Sequence, residues 1–212
     1  MGQDIKVACI PIEGMIIRTP PSAICEEAQR LLQATRADFS RIPTTEVPGR
    51  GTGYSSSPLG RHDFVQVRNQ SELLRLVTIV EAFLDVCSAE QFEGRTAGRD
   101  AFIKQMAQEV RETSLRGWDE RKEAFKKYHG ISLGECKGWQ DIDAAREVRN
   151  SIAHGLGHLT SRQGVKAKKK MAILGLSFRG DQLLINTATL EKCVNSAISF
   201  IRDVDRQLLY RP

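Results

Sequence analysis

A chain of 212 residues, 41% hydrophobic and 27% charged, is long enough for one domain with a sizeable core, or for a core with an appendage. That balance is ordinary for a soluble globular protein, and a net charge of +5 suits a polyanionic partner. No apolar run approaches the roughly 20 residues of a membrane-spanning helix, so no membrane partner is expected.

The N-terminus lacks a basic region followed by an apolar stretch and a small-residue cleavage site, so a secretory signal is not expected. Lys6 stands where a myristoylation motif wants Ser or Thr. The five cysteines, Cys9, Cys25, Cys87, Cys136 and Cys193, are scattered and form no C-x-x-C pair. They argue against a disulfide framework and a zinc knuckle, and for reduced thiols in a cytoplasmic protein.

Residues 5–17 are apolar and β-branched and lead into Thr19-Pro20-Pro21. Ser22 then caps a predicted helix reaching about Phe39, with Glu26 and Glu27 in its early turns. Residues 42–62 concentrate Pro, Gly and Ser and read as a loop or linker. These features set residues 1–62 apart as an N-terminal extension and residues 63–212 as a helical domain.

From about Asn69 the chain reads as successive helices. Leu73, Val77, Val80, Leu84 and Cys87 recur at spacings of four and three, with Ser71 as the expected cap. A second helix spans about residues 97–114, with Phe102, Met106 and Val110 on one face. A third runs over residues 118–128 and is closed by Gly130; its Trp118, Phe125 and Tyr128 are expected to pack in the core rather than stack on bases. A fourth begins near Gly138-Trp139 and ends at Gly155 or Gly157. The last uses Leu190, Val194, Ala197, Ile201, Val204 and Leu208, a sustained seam for packing along another helix.

Between the last two helices, Arg162, Lys166, Lys168, Lys169 and Lys170 form a basic run, read either as an RNA-binding arm or as a solvated loop. Residues 171–178, Arg179-Gly180-Asp181 and residues 182–185 then read as a β-hairpin or extended arm. The predicted fold class is therefore all-α, a helical bundle with a small hairpin or arm before the last helix.

The fourth helix carries the most informative stretch, Arg149-Asn150-Ser151-Ile152-Ala153-His154. At about 100° per residue, Ile142, Ala145, Val148 and Ile152 fall on one side and Asp143, Glu147, Asn150 and His154 on the other. A guanidinium suits phosphate oxygens, an imidazole moves protons near neutral pH, and a carboxamide can hold either partner or a ribose hydroxyl. Arg149 sits near the boundary of the apolar side, with a stem long enough to reach around. Glu147 faces the same way as His154 and either tunes it or is an ordinary surface residue. His154 and His158 are four apart, but Gly155 and Gly157 are expected to end the helix between them, so no metal site is expected.

Arg149-Asn150-x-x-x-His154 near a helix end, with Trp139 and Ile142 before it and Gly155 and Gly157 after it, resembles the R-x4-6-H motif of the HEPN superfamily (higher eukaryotes and prokaryotes nucleotide-binding). The helix containing Val80-Glu81-Ala82-Phe83-Leu84 is similar to that family's long early helix, and the resemblance covers about residues 70–212. It implies a HEPN-like bundle acting as a metal-independent endoribonuclease without cofactors. A homodimer would bring two motifs into one composite cleft on RNA, in a prokaryotic stress, toxin or antiviral-defence setting with a possible antitoxin or regulatory partner. The ribose 2′-hydroxyl would attack the adjacent phosphorus, His154 would move the proton, Arg149 would bind the scissile phosphate, and Asn150 would orient one of them or the substrate. Leu156 stands where the toxins paired with minimal nucleotidyltransferases carry a Tyr, so control by nucleotidylation of that Tyr is not implied. The alternatives are a catalytically silent HEPN-like module binding RNA, a nucleotide or a protein, and a helical interaction protein with Arg149 and His154 as surface residues.

Overall fold

The computed structural model describes residues 20–41, 55–57 and 60–210. The apolar segment at residues 5–17 and most of the expected linker lie outside the described residues. Seven α-helices dominate what is described: α1 (Ala23–Arg41), α2 (Phe64–Thr96), α3 (Ala101–Ser114), α4 (Trp118–Tyr128), α5 (Trp139–Gly155), α6 (Val165–Ala172) and α7 (Thr187–Leu209). Two antiparallel strand pairs complete it: β1 (Ser55–Ser57) with β2 (Gly60–His62), and β3 (Ser177–Arg179) with β4 (Gln182–Leu184). The all-α reading holds, and the small hairpin precedes the last helix.

The chain is organised around α2, whose 33 residues extend about 50 Å. The α1, α3, α5 and α7 helices all pack on it. Its apolar residues are accordingly buried on several sides: Leu73, Leu76, Val77, Val80, Phe83, Leu84 and Cys87 all belong to the core. The helix begins earlier than the apolar periodicity suggests. Asp63, not Ser71, is the cap, accepting from Val65 N (3.0 Å) and Gln66 N (3.2 Å). Ser71 instead donates its hydroxyl to Val67 O within the helix. Polar residues of the added turns bind the hairpin: Asn69 Nδ2 and Gln66 Nε2 donate to Ile185 O (2.7 and 3.2 Å), and Gln66 Oε1 accepts from Ile185 N (2.8 Å). These bonds fasten the β3–β4 hairpin to the head of α2.

Ser22 caps α1 as expected, accepting from Cys25 N (3.2 Å). Its hydroxyl and backbone N–H both donate to the buried carboxylate of Asp205 on α7. Cys25, Ala28, Leu32 and Phe39 lie in the same hydrophobic core as α2, α5 and α7. The helix of the N-terminal extension thus shares its core with the rest of the bundle.

Residues 97–114 are not one helix. The second helix starts only at Ala101, where the Asp100 side chain accepts from Ile103 N (3.0 Å). Of the face carrying Phe102, Met106 and Val110, Phe102 and Met106 are exposed and Val110 is half-buried, and the neighbouring Ile103 is exposed as well. The α4 helix has the predicted bounds, and its Trp118 and Phe125 are buried. Arg121 is 7% exposed and binds Asp85 of α2 through Nε (2.7 Å) and Nη2 (3.0 Å). This forked geometry, with the carboxylate less buried than the guanidinium, fixes α4 to α2. In α7, Leu190, Val194, Ala197, Ile201 and Val204 are all buried, as their spacing predicts, and Asn186 caps the helix at Thr189 N (2.8 Å).

Candidate functional site

The α5 helix is held at both ends by glycines. Gly138 precedes it at φ +78°, and a Cβ there would lie 2.5 Å from Ser196 O of α7. Gly157 follows it at φ +83°, and a Cβ there would meet the carboxamide end of the Gln70 side chain of α2. Both positions have a left-handed backbone that favours glycine, and at Gly138 the approach of the Ser196 backbone also excludes a side chain. Between them Ile142, Ala145, Val148 and Ile152 are buried, as the periodicity predicts, and the opposite side is partly or fully exposed.

After α5 the chain turns back under its own end. Leu156 and Gly157 N–H groups donate to Ser151 O, closing the helix through two left-handed residues. Leu183 N then donates to Gly157 O (2.8 Å) and Leu159 N to Asp181 O (2.8 Å), so residues 157–159 run beside β4. The hairpin therefore stabilises the segment that follows the motif.

His154 is exposed in the last turn of α5, and Asn150 lies one turn earlier on the same side. Together with Glu147, Thr160, Ser161, Arg162 and Gln163 they line an open cleft of about 570 Å³. Arg149 is partly exposed and donates from Nη1 to Asn150 Oδ1 (3.3 Å). It is not among the residues lining the cleft.

The basic run is not a loop. Lys166, Lys168, Lys169 and Lys170 lie on α6, and Arg162 precedes it on the turn that forms one wall of the cleft. The structure separates these five cations. Lys170 binds Asp143 (2.6 Å) and Glu147 (3.3 Å), which Arg146 also binds (3.0 and 3.3 Å). Two cations and two carboxylates there balance one another and tie α6 to α5. Arg146 extends the chain of charges towards Asp119 of α4 (4.0 Å). The hydrogen bond and charge of Lys122 hold the Asp119 carboxyl below the usual carboxylate range. Lys168 rests over the Phe178 ring (4.8 Å to its centroid) and donates to Gly180 O (3.4 Å). Lys166 and Lys169 are exposed.

Sequence reasoning passed over Gln163. Its Oε1 accepts from Ser151 Oγ (2.7 Å), Thr160 N (3.1 Å) and Thr160 Oγ1 (3.2 Å), and its Nε2 donates to Glu147 O (2.9 Å). One carboxamide thereby joins the turn at residues 160–163 to the backbone of α5. Local spacing does not announce such a residue, because the Ser151 and Glu147 partners that make it a link lie on another element.

What the arrangement can do chemically follows from these groups. An exposed imidazole can exchange a proton, a carboxamide one turn away can orient a hydroxyl or phosphate oxygen, and a guanidinium on the facing wall can bind an anion. Among the described residues no group of three or more His, Cys, Asp or Glu is arranged to hold a metal ion, and no helix is long and apolar enough to cross a membrane. No protein-family model, curated protein or solved structure matches this chain.

Proposed function

We propose that the protein is a metal-independent endoribonuclease of the HEPN type, with His154, Asn150 and Arg149 as its motif. The observation that carries this reading is the placement of His154 and Asn150 in one open cleft, on the side of α5 opposite its buried face, with Arg149 hydrogen-bonded to Asn150. The resemblance of Arg149-Asn150-x-x-x-His154 to the family motif supplies the reaction. The ribose 2′-oxygen forms a bond to phosphorus while the bond from phosphorus to the 5′-oxygen breaks. His154 moves the proton lost by the 2′-hydroxyl, and the departing 5′-oxygen gains one, leaving a cyclic phosphate and a 5′-hydroxyl. Arg149 stabilises the charge that develops on the phosphate oxygens.

In this proposal two copies pair through the motif face, so that Arg149 reaches a composite cleft it does not line within one protomer. A nuclease of this kind suits stress response, toxin action or phage defence, restrained by an antitoxin or other regulatory partner. The position of Arg149 outside the cleft of a single protomer favours a second reading, a catalytically silent module that binds RNA, a nucleotide or a protein.

The test is incubation of the purified protein with mixed RNA in excess EDTA, beside His154→Ala and Arg149→Ala variants. The nuclease reading expects cleavage by the parent and its loss in both variants. Binding of RNA without cleavage would support the silent module instead.

A further inference from the structure

We propose that Arg162 is a phosphate-binding cation of the His154 cleft and that Gln163 is the positioning residue that holds it there; this rests on reading the cleft as an RNA site. Sequence spacing places Arg162 at the start of a five-residue basic run, with no reason to separate it from the lysines. The fold separates it. Arg162 lines the same cleft as Asn150 and His154, whereas the four lysines lie on α6 and none lines the cleft.

The charges around the cleft favour Arg162 specifically. Lys170 and Arg146 are both bound to Asp143 and Glu147, and Lys168 is bound at Phe178 and Gly180. Arg149 donates to Asn150. Arg162 is exposed and has no carboxylate partner within 4.0 Å among the described residues. Glu147 also lines the cleft, but its charge is offset by the Lys170 and Arg146 contacts, so it does not set a bare carboxylate against an incoming anion.

Gln163 supplies the rigidity. The turn carrying Arg162 is closed by Gln163 N donating to Thr160 O (2.9 Å). The Gln163 side chain then fastens that turn to Ser151 and to the Glu147 carbonyl of α5, the helix that carries His154. The backbone of Arg162 is thus referenced to His154 through a single side chain. Ordering the turn that carries a cation before the ligand arrives lowers the entropy lost on binding.

The experiment uses the full chain and a single-stranded RNA oligonucleotide fully modified as 2′-O-methyl, which cannot undergo 2′-hydroxyl attack. Binding is measured by fluorescence anisotropy over a salt series, and circular dichroism confirms that each variant is folded. Arg162→Gln is expected to weaken binding about 10- to 100-fold and to flatten the log affinity against log salt slope by about 0.7, the value for one phosphate contact on a single strand. Arg162→Lys is expected to restore part of the affinity and the slope. Lys166→Gln is expected to change affinity less than about 3-fold.

Gln163→Ala is expected to weaken binding by about 5-fold when Arg162 is present and to have no further effect in the Arg162→Gln background. Gln163→Met, which is neutral and close in size but lacks both the donor and the acceptor, gives the same cycle if the alanine variant does not fold. Equal losses from Arg162→Gln and Lys166→Gln, additivity of Gln163→Ala with Arg162→Gln, or absence of binding by the parent would each overturn the proposal. Binding that depends on Arg162 and Gln163, with unmodified RNA left intact, would support it while removing the nuclease reading. Cleavage of unmodified RNA that survives Arg162→Gln with unchanged binding would do the reverse.

Discussion

Replacing Gly138 with Ala tests how closely α5 is seated. The backbone there has φ +78°, a region that costs an L-residue about 1–2 kcal/mol. The new Cβ would lie 2.5 Å from Ser196 O, 3.2 Å from Ser196 C and 3.4 Å from Ser196 Cα. These are backbone atoms in the middle of α7, so no side-chain rotation relieves the overlap. Moving the helices apart would strain the hydrogen bond from Ser196 Oγ to Asp141 Oδ2 (2.6 Å) across the same contact. Overpacking of this kind costs about 1–3 kcal/mol. Reduced freedom of the unfolded chain returns about 0.4–1 kcal/mol, leaving a net loss of about 2–4 kcal/mol. Gly98 is the control: its φ is +72°, but nothing lies within 4 Å of its Cβ position. Gly98→Ala therefore carries the backbone cost alone and should destabilise by about 1 kcal/mol or less. Urea unfolding followed by circular dichroism should place the two variants about 2 kcal/mol apart, and thermal midpoints about 4–8 °C apart. Equal stability within about 0.5 kcal/mol would refute the close contact of α5 with α7.

Three further outcomes follow from the packing. Asp63→Ala removes the cap of α2 and should cost about 1 kcal/mol in urea unfolding, whereas Ser71→Ala should be nearly neutral. Asp85→Asn leaves the Arg121 guanidinium buried without its countercharge and should cost about 2–3 kcal/mol, at or below the lower end for a broken buried pair because Asp85 is partly exposed; an unchanged midpoint would remove the pair from the account. Burial, with the nearby Asp205 carboxylate, pushes the Cys25 thiol up to about 11; burial does the same for Cys136, to about 11, and Cys193, to about 12, and raises Cys87 further still. The unfolded chain releases these protons from about pH 9, whereas the folded chain holds those of Cys25, Cys136 and Cys193 to about pH 11–12 and that of Cys87 longer. Their stabilising contribution is thus complete below pH 9 and is lost above it, at up to about 1.4 kcal/mol per pH unit for each thiol. Urea midpoints should fall between pH 9 and 11, and iodoacetamide should leave Cys25, Cys87, Cys136 and Cys193 unlabelled at pH 8 in the folded protein; a flat midpoint or rapid labelling would contradict the burial.

Elements bounded by local punctuation were legible in the sequence. Gly130 closes α4, Gly138 opens α5, and the 4-3 spacing from Leu190 to Val204 marks the buried seam of α7. Elements whose ends answer to distant partners were not. The first turns of α2 interleave Phe64, Val65 and Val67 with Gln66, Arg68 and Asn69, of which Gln66 and Asn69 bond to Ile185, so the 4-3 apolar spacing starts too late to reveal Asp63 as the cap. The apolar stripe Phe102, Ile103 and Met106 has the spacing of a core face, yet the fold leaves it outward. The basic run forms α6 because Met171 is buried beneath it and Lys170 pairs with α5, neither of which spacing alone discloses. For the candidate site, the opposition of buried and polar faces on α5 was readable from residues 142–154. The entry of Arg162 into the cleft, and the use of Gln163 to hold it, required the fold.

His154 is proposed to serve RNA cleavage by the adjacent 2′-hydroxyl. The most direct measurement is end-group analysis of RNA incubated with the parent protein and with His154→Ala in excess EDTA, alongside a substrate carrying 2′-deoxy sugars throughout. The parent alone is expected to leave cyclic phosphate and 5′-hydroxyl ends, with the deoxy substrate intact. Products bearing 5′-phosphates, cutting of the deoxy substrate, or equal cleavage by His154→Ala would contradict it.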